Sequence, residues 1–310
     1  MSAERITFGV YALDQVLLPN ATAKGWAARL AETAPTLVAG ALLYCLTLVA
    51  ESEGMVLGEA VSLAGTVWLP GLRVAVEPVA GLSGLFLVRI GGKAAALATA
   101  TPWAEGTAWQ AEGPEMPEAL AAYAAGTLID TPDGPRAAGD LVAGDVVTTL
   151  GNGSRPLRWV GRRQVTPVEF LARPGLRPVA FAPGTVDNDR ALLVSPGQRM
   201  LIDDWRAAVY FGEDQVLVSA LALVDDQAVR QVLPASALDY VVLLCDRHEI
   251  LLAEGARSES FHPGESGQAG LAPVERAALA VVLPEAELGR RRAAFPIVHT
   301  AEARALRLRV

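Results

Sequence analysis

Short apolar runs broken by glycine and proline recur along the whole chain, and a sustained helical stripe is rare. Runs rich in Val, Leu, Thr and aromatics, bounded by Gly, Pro, Asn and Asp, predict strands. In residues 1–100 such runs lie at 36–49, at 55–69 (broken by Gly58 and Gly65) and at 73–77. Residues 83–90 and 93–98 read as a hairpin about Gly91-Gly92. Only 14–30 could hold a helix, with Asn20-Ala21-Thr22 breaking it or capping its second part. Short strands with frequent turns predict a sandwich or small barrel. The region has no histidine and no carboxylate cluster, so no catalytic constellation is legible in it.

From 101 to 118 the composition shifts to Trp, Gly, Pro, Thr and Glu, the mark of a linker or an extended docking segment. Trp103 and Trp109 are too large and apolar for a free linker and are expected to pack on a domain. Residues 119–264 again read as strands, near 127–130, 145–150, 155–165, 178–181, 191–194, 199–201, 216–218, 228–232, 240–244 and 248–253. Pro132-Asp133-Gly134 and Asn152-Gly153 suit tight turns, and a brief helix is predicted around 219–223. In the tail, 265–310, apolar positions at helical spacing over 273–283 predict a helix stopped by Pro284. Arg290-Arg291-Arg292, following Glu285 and Glu287, reads as a solvated helix face, and Thr300 as the cap of a last short helix. The predicted class is therefore mainly β. A β-rich domain (1–100) precedes a linker (101–118), a second all-β domain (119–264) and a helical extension (265–310).

The stretch that most needs explaining is 241–264, VVLLCDRHEILLAEGARSESFHPG. Two apolar runs flank the knot Asp246-Arg247-His248-Glu249, and two of the chain's three histidines lie here. It resembles the last motif block of the Hint (hedgehog/intein) superfamily, in which a histidine near one strand's end leads into a second strand and a glycine turn. Gly126-Thr127-Leu128-Ile129 with Asp133-Gly134, followed by Asp140-Leu141-Val142-Ala143-Gly144-Asp145, resembles that family's opening block. Leu193-Val194-Ser195-Pro196-Gly197-Gln198-Arg199 resembles its central block. Three blocks in order imply the compact all-β Hint fold of a bacterial member.

The resemblance also implies a reaction, self-catalysed N–S acyl shift followed by peptide cleavage or splicing, with the chain itself as substrate. A nucleophile, usually cysteine, opens the domain and attacks the preceding carbonyl. A Thr-x-x-His arrangement protonates the departing amide nitrogen. Carried over residue by residue, the nucleophile position falls on Ala122, whose methyl group cannot attack. Ser195 keeps the hydroxyl of the central block, but Gln198 stands where the histidine belongs, and an amide does not titrate near neutrality. Asp246 and His248 keep the polar positions of the last block, and Val242 stands where related members often carry a further histidine. The pattern implies a pseudoenzyme that retains the fold; the alternative role is a non-catalytic binding or structural module of a surface or secreted protein.

Composition narrows the remaining possibilities. A net charge of −8, with no charge block resembling a nucleic-acid arm, argues against nucleic acid as a partner. The most apolar window, 34–50, is short for a bilayer span and holds Pro35 and Gly40, so a buried strand pair is expected there in place of membrane insertion. A protein partner through 1–118 is the remaining external possibility. No N-terminal signal peptide is legible, which implies a cytoplasmic protein or one exported without such a signal. Cys45 and Cys245 each sit in an apolar stretch and are expected to be buried small hydrophobes. The acidic turns Asp187-Asn188-Asp189, Asp203-Asp204 and Asp225-Asp226 lack calcium-loop spacing, and Cys245 with His248 is too small a set for zinc. No cofactor or metal is expected.

Overall fold

The computed structural model describes residues 5–18, 30, 34–110, 120–263, 273–283 and 291–303. Strands dominate it, and its contacts divide the chain into two units. The first holds residues 1–115 together with two excursions, 165–174 and 233–237; the second holds the rest.

In the first unit, six antiparallel strands run in the order Gly54–Leu57, Leu43–Glu51, Arg5–Ala12, Lys93–Thr99, Leu85–Ile90, Val74–Pro78. The two edges approach each other: Val56 bridges to Arg73, and Leu57 N–H donates to the Leu72 carbonyl at 2.9 Å. The sheet therefore curls into a small barrel, one of the two shapes the strand pattern predicts. Side chains of alternating strand positions fill it, among them Val10, Leu46, Leu48, Phe86, Val88 and Ile90. The helix Pro167–Ala172 belongs to this unit and adds Val168 to that core.

A second apolar cluster covers the other face of the same sheet, with Tyr11, Leu37, Leu87 and Leu97 meeting Trp103 and Trp109. Both indoles are buried and edge-on to each other at 5.4 Å, and both place their N–H on a backbone carbonyl, Thr107 and Ser83 respectively. The stretch 101–110 is thus part of this core, as its tryptophans predict.

Several expectations for this region are corrected. Arg5–Ala12, for which no strand is predicted, forms a central strand because Ile6, Val10 and Ala12 are buried in the core. The run 36–49 is not one strand but two, Thr36–Leu37 and Leu43–Glu51, separated by a turn in which Gly40 has φ +76°, in keeping with the strand pair expected over 34–50. Cys45 is exposed, because on its strand the core-facing positions are Leu46 and Leu48. Asn20-Ala21-Thr22 and most of the 14–30 helix window lie outside the described residues; within it, Val16–Leu17 is a strand. Among the described residues no helix is long and apolar enough to cross a membrane.

The second unit is one hydrogen-bonded network of thirteen strands. All ten predicted strand positions in it carry strands, with boundaries within a few residues. Three strands of this unit (Tyr123–Ala124, Arg136–Ala137 and Ala256–Glu259) and two α-helices, Pro167–Ala172 of the first unit and Trp205–Phe211, were not predicted. Pro167–Ala172 starts at a capping box, Thr166 with Glu169, and Trp205–Phe211 runs from an Asp204 cap to a left-handed Gly212. The strand Ala256–Glu259 returns from Ile250–Ala253 through Glu254-Gly255, both with positive φ, as a tight hairpin turn requires. Glu254 is held there by Leu128 N–H, which donates to its carboxylate at 2.7 Å, and by Arg190 at 3.0 Å. The tail helix Pro273–Val282 and the short Thr300–Ala303 form where predicted. Arg291 and Arg292 are not on a helix; Glu285, Glu287 and Arg290 lie outside the described residues.

Candidate functional site

The short strand Tyr123–Ala124 explains why three distant blocks converge. It lies between Leu192–Val194 and Leu238–Cys245, with Tyr123 opposite Val194 on one side and Val241 on the other. Position 122, which immediately precedes it, is therefore pinned beside the turn that follows Val194. Ala122 and Ser195 exchange backbone and side-chain contacts. Ser195 N–H donates to the Ala122 carbonyl at 2.9 Å, and Ala122 N–H donates to Ser195 Oγ at 2.9 Å. The Ser195 hydroxyl then donates to the Leu120 carbonyl at 2.5 Å. One hydroxyl thus spans Ala121, accepting from the nitrogen of the 121–122 peptide and donating to the carbonyl of the peptide before it, and all these groups are buried.

Gln198 lies in the same turn, its N–H donating to the Ser195 carbonyl at 3.1 Å. Its side chain turns elsewhere and donates to the Glu259 carbonyl at 2.8 Å. The Tyr123 hydroxyl donates to the same carbonyl at 2.7 Å and meets Ser258 Oγ at 2.8 Å. Burial drives the Tyr123 phenol far above its ordinary range, so it stays a neutral donor.

Glu259 is the hub of the site. Its carboxylate, fully buried, takes Arg199 Nη1 at 3.0 and 3.1 Å, the Arg199 backbone N–H at 3.2 Å and His248 Nε2 at 3.1 Å. On the other side of the imidazole, Ala294 N–H donates to Nδ1 at 3.0 Å. With Nδ1 accepting, neutral His248 carries its proton on Nε2 and donates it to Glu259. Glu249, the next residue, is buried and accepts from the Asn152 side chain at 2.6 Å, while its N–H donates to Ser260 Oγ at 2.9 Å. This last block serves buried polar groups that would otherwise go unpaired.

Asp246 stands apart from the buried set. It pairs with Arg158 at 2.7 Å where both side chains are about half exposed, a contact worth roughly 0–1 kcal/mol. Cys245 is the sulfur nearest in sequence to the knot, but burial pushes its thiol up to about 12, so it is no thiolate at neutral pH. Asp187 pairs with Arg257, Asp204 caps its helix, and Asp225 accepts from the N–H groups of Gln227 and Val229. Each acidic turn therefore has a local partner.

The sequence reasoning missed Glu259, Ser258 and Arg199. The available signal was Ser-Glu-Ser directly after a strand hairpin and directly before Phe261, a place where a carboxylate enters the interior only if it has a partner.

A family profile described as the Hint domain matches residues 121–265. A bacterial intein-like domain from Clostridium thermocellum, solved in solution, is similar at 14% identity. That similarity covers 46% of this chain and 99% of the other, with a TM-score of 0.32. No curated protein matches the chain.

Proposed function

Residues 121–265 of this chain are a Hint domain, and from that premise we propose that it is one in which the scaffold persists without self-cleavage. The carrying observation is the contact of Ser195 with the peptide between Ala121 and Ala122. Ser195 sits on its nitrogen, where the family's reaction would protonate the leaving amine, yet the residue that should attack is a methyl group. Ala122 is the vestigial nucleophile position and Gln198 the vestigial histidine position. The Gln198 amide spends its donor on the Glu259 carbonyl.

Magnitudes favour this reading. Loss of a general acid costs about 10²–10⁴ in rate. Loss of the nucleophile removes the covalent route altogether. Cys245 cannot substitute, since a thiol titrating near 12 is about 10⁻⁵ ionised at pH 7. In this reading Ser195, His248 and Glu259 serve folding, and Asp246 is a surface ion-pair partner. The role left to the domain is that of a non-catalytic binding or structural module.

The test is to install Ala122→Cys and incubate both proteins with a small thiol at neutral pH. Thiol-dependent scission at the 121–122 junction is expected only in the variant, increasing when Gln198→His is added. Scission of the unmodified protein at that junction overturns the proposal.

A further inference from the structure

Residues 291–303 cross the second unit as an extended strap and end in the short helix Thr300–Ala303. Leu217 N–H donates to the Pro296 carbonyl at 2.8 Å and Val298 N–H donates to the Leu217 carbonyl at 3.0 Å, so the strap covers the edge strand Gln215–Ser219. Phe295 packs on Leu201, Leu217 and Ile250. The start of the strap is hooked to the last motif block at three points. Ala294 N–H donates to His248 Nδ1 at 3.0 Å, His262 Nε2–H donates to the Arg291 carbonyl at 3.3 Å, and Arg291 Nη2 donates to the Cys245 carbonyl at 2.7 Å. The two imidazoles meet edge to face, their centroids 4.8 Å apart.

We propose that residues 291–298 form an acid-released strap, latched while His248 is neutral and freed when His248 takes a proton on Nδ1. The latch works because a neutral ring offers Nδ1 as an acceptor. Protonation turns Nδ1 into a donor facing the Ala294 donor, and that hook is lost. The cation has somewhere to go, since Nε2–H remains on the Glu259 carboxylate. The groups facing the two rings are Glu259 from Ala256–Glu259, Arg199 from Arg199–Asp203, Cys245 and the neighbouring Glu249 from the last block, and Arg291 from the strap itself. A second charge arriving on His262 would stand against His248 and the Arg199 guanidinium. Burial first, then His248, holds His262 below its ordinary range, against the pull of the Arg291 carbonyl and Glu259. Release would free the Leu217 N–H and carbonyl on the sheet edge and unroof Leu201, Leu217 and Ile250. This inference does not depend on what happens at the 121–122 peptide.

Hydrogen exchange resolved by mass spectrometry on the full chain, corrected for the intrinsic pH dependence of exchange, tests it. Loss of the Ala294 hydrogen bond from the closed strap raises the open fraction by roughly 2- to 10-fold on going from pH 7.5 to pH 5. Protection over 291–298 should fall by up to that factor, while 238–245 keeps its protection. His248→Asn, which offers a non-titrating acceptor to Ala294 N–H, should remove the pH dependence. Protection that is equal at both pH values, that is lost together with 238–245, or that stays pH-dependent in the variant overturns the proposal. The first two outcomes can be read from the unmodified protein alone.

Discussion

The barrel of the first unit and the Hint domain are both built from short antiparallel strands, yet their interiors differ in kind. Among the described residues, every buried polar or charged side chain except Glu169 belongs to the second unit: Ser195, Gln198, His248, Glu249, Ser258, Glu259 and others. The barrel is filled by Val, Leu, Ile, Phe and Ala, which need only fit. In the second unit Ser195, Gln198, His248, Glu249, Ser258 and Glu259 are each hydrogen-bonded to side chains or backbone around them, and several partners are shared. An apolar interior needs no such groups for stability, since a buried ion pair is often replaceable by hydrophobes. The polar interior is what the proposed reading expects of a scaffold that keeps a reaction site's supporting residues without its chemistry.

That difference can be broken at graded points. Glu259→Ala should have the largest effect, since it strands His248 and Arg199 beside an emptied site. A loss of about 3–5 kcal/mol is expected, read as lost exchange protection in peptides of the second unit while the barrel keeps its own. Leu48→Ala, at a fully buried barrel position, should cost about 2–5 kcal/mol by cavity formation, with the loss confined to barrel peptides. Gln198→Leu removes one donor but leaves the Glu259 carbonyl with Tyr123, so about 1 kcal/mol is expected in denaturant titration.

Asp204→Ala should likewise cost about 1 kcal/mol, through the lost cap of Trp205–Phe211. The Arg206 side chain holds the Asp204 carboxyl down to about 2 from an unfolded value of 3.8. Its folded pKa is the depressed one, so its contribution is complete above pH 3.8 and disappears as pH falls toward 2. A thermal-melting series over that window should show the loss in the unmodified protein and its absence in Asp204→Ala.

The strand content was legible because alternation and turn residues are local. Each predicted strand of the second unit forms, and the hairpin about Gly91-Gly92 forms in the first. Two helices were equally legible and overlooked. Thr166-Pro167-Val168-Glu169 spells a capping box with proline at the first turn, and Asp204 with Gly212 brackets the other. Tertiary pairing was not legible. Nothing local says that Arg5–Ala12 is a central strand, that Cys45 faces outward, or that 165–174 joins the first unit. At the site, the motif blocks brought Ala122 and Ser195 together in advance. Glu259 escaped because its importance lies in what converges on it from Arg199, His248, Gln198 and Tyr123, residues spread over more than a hundred positions.

The most direct test of a Hint scaffold without its chemistry is the intact mass of the unmodified chain after prolonged incubation with thiol at neutral pH. A single species at 32.5 kDa is the predicted result. A pair of fragments dividing between Ala121 and Ala122 would contradict it.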